Sequence, residues 1–182
     1  MVDEQTPPAP VEGQPSAAPP TATRVRDFFA SGAEMLAPDH VTQPAARFLR
    51  SGLPFPFVVV VIPSYNEEQS LQRTIRSLSE QTRPPDDIVV IADNCTDSTV
   101  DIARAEGVSV WETRDNRDGK AGALNQFFSS FLGILDDDDL VLVMDADTTL
   151  TNKFIEATTE TLFSASAKEI AGVGGIFLAD DE

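Results

Sequence analysis

The chain has 182 residues, 30 acidic and 13 basic, for a formal net charge of −17, and 41% of its residues are apolar. That is enough for one principal domain with a real core, while so acidic a chain repels nucleic acid and anionic lipid and disfavours both as partners. The single cysteine, Cys95, excludes an intrachain disulfide and fits a reducing compartment.

No apolar run approaches the ~20 residues needed to cross a bilayer, and the acidic, Pro-rich N-terminus is not a secretory signal. A cytoplasmic chain is expected, or one at the cytoplasmic face of a membrane if it belongs to a longer protein. Residues 1–23, "MVDEQTPPAPVEGQPSAAPPTAT", are Pro/Ala-rich with almost no large apolar side chains, so a disordered tail is expected there. Residues 24–56 read as a helical lead-in and linker. Val25, Phe28, Phe29, Met35 and Leu36 fall roughly on one helical face, which suits a short helix packed on the domain. The "PFP" at Pro54 to Pro56 marks the boundary.

From residue 57 to 182 strands and helices alternate. "FVVVVI" is a β-branched run suited to a strand buried on both faces. A helix follows over Leu71, Ile75 and Leu78, then a strand "DDIVVIA", a helix "DSTVDIARAEG" stopped by Gly107, and a strand "VSVWE". A third helix, "AGALNQFFSSFLGIL", turns Leu124, Phe127, Phe128, Phe131 and Leu135 inward. "DLVLVMD", a helix "NKFIEATTETLFSASA" and a fifth strand "VGGIFL" complete the pattern. Such alternation predicts an α/β, three-layer fold with a mostly parallel sheet and helices on both faces. In such sheets ligands sit beyond the carboxyl ends of the strands, so the polar residues there are the candidates for chemistry.

After the first strand, "IPSYNEEQS" offers Ser64 and Glu67 at capping-box spacing, with Asn66 as another N-cap. Tyr65, the only tyrosine, stands where a ligand base could stack. After the second strand, Thr96 or Asp97 suits a helix cap, whereas Asp93 is free of that duty and can accept a hydrogen bond from a ligand. Cys95 lacks a histidine neighbour and reads as a small, semi-buried residue rather than a catalytic thiol. "RDGKAGALN" sets Lys120 among glycines at a helix N-terminus, a setting for an anion, though too short for a Walker loop. The run Asp136 to Asp139 precedes a strand, lies on the wrong side, and reads as a solvated turn. His40, the only histidine, falls in the lead-in and is expected to be exposed. "VLVMDADTTL" ends a buried strand in Asp145 and Asp147. Two like charges that close repel each other, and hard oxygen donors with room for water and phosphate suit Mg2+ or Mn2+.

"VVVVIPSYNEE", "IVVIADNCTDST", "GKAGALN" and "LVLVMDADTTL", in that order, resemble the nucleotide-binding half of a family 2 glycosyltransferase of the GT-A, Rossmann-like fold, over about Phe57 to Leu178. The resemblance implies that Pro63 and Tyr65 line the base pocket and Glu67 contacts the nucleoside. It implies that Asp93 binds the base edge and Lys120 lies against the nucleoside or diphosphate. It further implies that Asp145 reaches the ribose or metal and that Asp147, a DxD aspartate, holds Mn2+ or Mg2+ on the diphosphate. The implied reaction is inverting sugar transfer from a nucleotide-sugar, a UDP-sugar, to an acceptor hydroxyl. Family members carry the base and acceptor pocket in a later segment, so a truncated, donor-binding portion is expected. A catalytically incomplete nucleotide-sugar-binding or interaction module is the first alternative. A different α/β nucleotide binder, such as a nucleotidyltransferase, is the second, although "PSYNEE" is acidic where that class wants a basic, Gly-rich loop. A missing acceptor half would leave Phe127, Phe128, Phe131 and Phe177 uncovered and favour self-association.

Overall fold

A computed structural model describes residues 23, 25, 27–29, 56–164, 170 and 172–176. His40, Met35, Leu36, Phe177 and the tail over 1–22 lie outside the described residues; Thr23, expected in the tail, is helical and half-buried. The elements are β1 (Val58–Ser64), α1 (Leu71–Ser79), β2 (Asp87–Ala92), α2 (Thr99–Ala105), β3 (Ser109–Glu112), α3 (Gly119–Phe131), a 3-10 turn (Leu132–Ile134), β4 (Leu140–Val143) and α4 (Phe154–Leu162).

The four strands form one sheet in the order β3-β2-β1-β4, and every neighbouring pair is parallel. Val59 to Ile62 of β1 are wholly buried. Alternation along the strand sends Val58, Val60 and Ile62 to one face, against Leu71, Ile75 and Leu78 of α1, Ala103 of α2 and Ile155 of α4. Val59 and Val61 point to the other, against Ala123, Phe127 and Phe131 of α3. The chain steps from β1 to β2 to β3 in one direction and then returns to the far side of β1. Right-handed crossovers in both directions account for α1 and α2 lying on one face and α3 on the other, which makes the three layers.

The helical residues of the lead-in pack on the domain. Val25 and Phe29 are buried in the α3-side core, and Phe28 meets Phe131 edge-on with ring centroids 5.4 Å apart. Phe127 and Phe131 are therefore fully buried and Phe128 half-buried, which corrects the expectation of an uncovered aromatic face. The lead-in supplies its cover. The fifth strand is not seen among the described residues either: residues 172–176 carry no regular structure and Ile176 is 91% exposed. Gly172, Gly174 and Gly175 interrupt that segment, and glycines offer a strand no side chains to pack. The expected third helix ends at Phe131, and Leu135 follows the 3-10 turn outside it.

At the amino ends of the strands, Arg83 pairs with Asp86 at 2.6 Å, and Asp86 also accepts the Val58 N–H at 2.7 Å. Asp139, in the acidic turn, accepts from Phe57 N–H at 3.2 Å and Asp136 N–H at 2.7 Å, so that run is a structural turn at the end away from the candidate site. Asp87 is buried nearby, accepts hydrogen bonds from the Ser109 hydroxyl at 3.2 Å and Ile88 N–H at 2.8 Å, and has its pKa raised by burial to about 7.

The buried face closed by Phe29 makes Phe29→Ala destabilising by about 3–5 kcal/mol, measurable by urea unfolding; a loss under about 1 kcal/mol would show that the lead-in does not seal the core. Asp87 binds its proton more tightly folded than unfolded. Its contribution to stability is full below about pH 4 and is lost as pH rises through about 7. Asp87→Asn removes that titration. The variant's stability relative to wild type is therefore expected to rise between those two pH values by a few kcal/mol, on the order of 1.4 kcal/mol for each pH unit crossed. Parallel stability curves for the two proteins would overturn it.

Candidate functional site

The sheet order reverses between β1 and β4, and the crevice beyond the carboxyl ends at that point is where an open parallel sheet offers a ligand site. Every candidate residue lies along that edge. Pro63 is in β1 itself and half-buried, while Tyr65 is 62% exposed in the loop beyond it. Ser64 is no helix cap: it is buried in β1 and its hydroxyl donates to Ile62 O at 3.2 Å. α1 begins only at Leu71, and Ser70 fills the turn before it, donating to Glu67 Oε2 at 2.6 Å.

The loops after β1 and β2 are laced together. Asn66, in the left-handed region at φ 55°, accepts from Thr96 N–H at 2.8 Å. Glu67 N–H donates to Thr99 Oγ1 at 2.7 Å, Glu68 N–H to Asp97 Oδ2 at 3.1 Å, and Ser98 N–H to Glu68 Oε2 at 3.1 Å. Asp97 also accepts from Thr99 N–H at 3.0 Å, but the N-cap position of α2 is Ser98, so neither Thr96 nor Asp97 is the cap expected there. Cys95 is half-buried, its thiol directed at Ser64 O, and burial raises its pKa. A thiol held in its protonated form is a poor nucleophile, which fits a packing role.

Asp93 is buried, and its carboxylate is already engaged. Oδ1 accepts from Asn94 Nδ2 at 2.9 Å and Thr113 Oγ1 at 2.8 Å, and Oδ2 from Asn116 Nδ2 at 2.8 Å. A carboxylate offers about four acceptor positions, so one remains on Oδ2 for a ligand N–H. Thr113, Asn94 and Asn116 were not singled out from the sequence. Their signal is the density of polar side chains in "ADNCTDST" and "TRDNRDG", which alone does not tell a solvated loop from a network.

Asp145 and Asp147 follow β4 in a turn closed by the Thr148 N–H on Asp145 O at 3.2 Å. Met144 and Ala146, before and between them, are buried while both aspartates are exposed, so the two carboxylates share the open side. The loop is held from beneath: Met144 N–H donates to Val61 O at 3.2 Å and Thr74 Oγ1 to Ala146 O at 2.7 Å. Leu150 N–H bonds Ser77 Oγ at 3.4 Å, and Gln81 Nε2 bonds Thr151 O at 2.8 Å. Lys120, in the first turn of α3, forms an ion pair with Asp145, and both are about half exposed. Asp147 has no hydrogen-bond or ion-pair partner among the described residues. Those residues contain no cluster of three or more metal-ligating side chains. Two carboxylates with open space fit a divalent cation that takes its other oxygens from phosphate and water, and Lys120 is the positive charge that balances Asp145 here.

The model for glycosyl transferase family 2 matches residues 59–168, more than half of the chain. The chain belongs to that family. It is 35% identical over 120 residues to a protein named Probable glucomannan 4-beta-mannosyltransferase 4 of Oryza sativa subsp. japonica, covering 60% of this chain and 22% of that one. It is 31% identical over 97 residues to 4,4'-diaponeurosporenoate glycosyltransferase of Staphylococcus haemolyticus, covering 53% and 25%. Among solved structures, glucosyl-3-phosphoglycerate synthase of Mycobacterium tuberculosis, in complex with Mn2+, uridine diphosphate and glucosyl-3-phosphoglycerate, aligns at 24% identity and a TM-score of 0.49. That alignment covers 61% of this chain and 41% of the synthase. The chain spans about a quarter of the length of the curated relatives it matches. No helix among the described residues is long and apolar enough to cross a membrane.

Because Asp93 anchors three donors, Asp93→Ala is expected to lower unfolding free energy by about 1–3 kcal/mol, and not only to alter binding. Denaturant unfolding measures it; stability equal to wild type would show that the three donors turn to water without loss.

Proposed function

We propose that the chain is the donor-binding portion of a family 2 glycosyltransferase and takes a UDP-sugar along the carboxyl edge of its sheet, with residues 57–182 forming that part. The observation that carries the reading is the pair of exposed carboxylates, Asp145 and Asp147, at the reversal of strand order, beside Lys120 and in line with Asp93. The uracil N–H takes the acceptor position left on Asp93, Pro63 and Tyr65 flank the base, and Glu67 contacts the nucleoside from the laced loop.

Asp147 and Asp145 would hold Mn2+ or Mg2+, with the diphosphate supplying further oxygens. When bound, the cation stabilises negative charge on the leaving phosphate. Lys120 is within reach of that same phosphate once it leaves Asp145. In the reaction an acceptor hydroxyl oxygen bonds to the anomeric carbon as the bond from that carbon to the phosphate oxygen breaks. UDP departs, and the hydroxyl proton passes to a carboxylate base. The run of small and acidic residues after β1 disfavours a nucleotidyltransferase, because no basic Gly-rich loop follows that strand.

Calorimetry of the full chain with UDP tests the reading. EDTA is expected to weaken binding about tenfold or more, and Asp147→Ala to do the same with Mn2+ present. Equal affinity with and without the cation would remove the metal role, and no binding of UDP under any condition would overturn the donor-site reading.

A further inference from the structure

Asp93 and Asp145 stand at opposite ends of the candidate site, and one loop, residues 113–118, joins them. Its hub is Asn116. The Asn116 amide nitrogen donates both to Asp93 Oδ2 and to Gly119 O, each at 2.8 Å. Its amide oxygen accepts from Asp118 N–H at 3.2 Å, and its backbone carbonyl accepts from Asn94 Nδ2 at 3.1 Å. The side chain therefore grips a buried carboxylate on one side and the opening of α3 on the other. Lys120 is the next residue after Gly119.

Two further features serve the same grip. Gly122 lies one turn into α3, and a Cβ built there would overlap the Asn116 amide oxygen and come within 2.8 Å of Asp118 Cβ. Glycine in a helix interior is less favourable than alanine, so its presence is explained by the space the amide occupies. On the far side of the loop, Gln126 of α3 bonds both Arg114 N–H, at 3.0 Å, and Arg114 O, at 3.1 Å. The loop is thus clamped to α3 at both ends, with Asp115 and Gly119 in left-handed backbone, φ 48° and 56°, at its bends.

We propose that Asn116 is a positioning residue of the donor site: it ties Asp93 to the first turn of α3 and so holds Lys120 against Asp145. This rests on the donor-site reading above. Asn116 touches neither base nor phosphate. It sets the angle at which α3 delivers its lysine, and it fixes the orientation of the Asp93 carboxylate. Releasing it has two consequences of opposite sign. Asp93 loses its orientation, so UDP binds less tightly. Lys120 loses its fixed place on Asp145, so a divalent cation meets less competition there.

The test compares wild type, Asn116→Ala and Gly122→Ala, each as the full chain. Gly122→Ala displaces the same amide from a different element while improving intrinsic helix propensity. UDP affinity is measured by calorimetry at saturating Mn2+, and Mn2+ affinity alone by electron paramagnetic resonance. Both variants are expected to bind UDP about tenfold more weakly and Mn2+ alone about two- to fivefold more tightly. The double variant should be no worse than Asn116→Ala, because both changes remove one grip. Failure of wild type to bind UDP would overturn the donor-site reading and this role with it. Wild-type binding with unchanged variants would overturn the Asn116 role alone. Loss of both UDP and Mn2+ affinity would also overturn it, because a merely structural role weakens both together.

Discussion

Val59 to Ile62 are wholly buried, and a parallel strand lies on each side of them. A strand in that position must be apolar on both faces and needs helices over both, because no other arrangement removes its side chains from water. The layers follow from it. So does the site, since β1 is the strand at which the order of the sheet turns back, and the loops after β1 and β4 must diverge there and leave a crevice. The one polar residue within β1, Ser64 at its end, turns its hydroxyl back onto Ile62 O, and exposed polar residues begin at Tyr65, one residue past the strand.

The electrostatics of the crevice follow from the same geometry. After β4 the chain turns over Asp145 to Thr148, closed by the Thr148 N–H on Asp145 O at 3.2 Å, with Met144 and Ala146 buried and Asp145 and Asp147 exposed, so both carboxylates are left on the solvent side. Repulsion between them is relieved on one side by Lys120, which arrives on α3 from the opposite face of the sheet. Asp147 is left without a partner among the described residues. The loops after β1 and β2 are fixed to each other by hydrogen bonds, while the Asp145–Asp147 turn is fixed from below by α1 through Thr74 and Ser77, and by Gln81 just past its end. The two halves of the site are therefore held by different elements, and residues 113–118 are the connection between them.

The lead-in shows how an acidic chain keeps a large aromatic cluster out of water. Phe127 and Phe131 stack with centroids 4.6 Å apart, and Phe28 and Phe29 close over them. An aromatic face of that size left open would be a site of association; covered from the same chain, it is core.

The strands, the helices and their alternation were legible in the sequence because two-sided burial demands continuous β-branched runs and helices demand apolar spacing of three and four. Those patterns placed Pro63, Tyr65, Glu67, Asp93, Lys120, Asp145 and Asp147 on one edge of the sheet. Three things were decided by tertiary structure alone. The "VGGIFL" segment has strand-like composition, yet its apolar residues find no partner strand among the described residues, and pattern without a partner makes no sheet. Ser64 and Glu67 have capping-box spacing, but parallel pairing with β2 extends β1 through Ser64 and moves the helix start to Leu71. The grip of Asn116 on Asp93, 23 residues apart, and of Lys120 on Asp145, 25 apart, depends on how the loop and α3 cross the sheet. Local sequence carries no record of that, because a hydrogen bond between side chains is fixed by where the backbone brings them and not by their spacing along it.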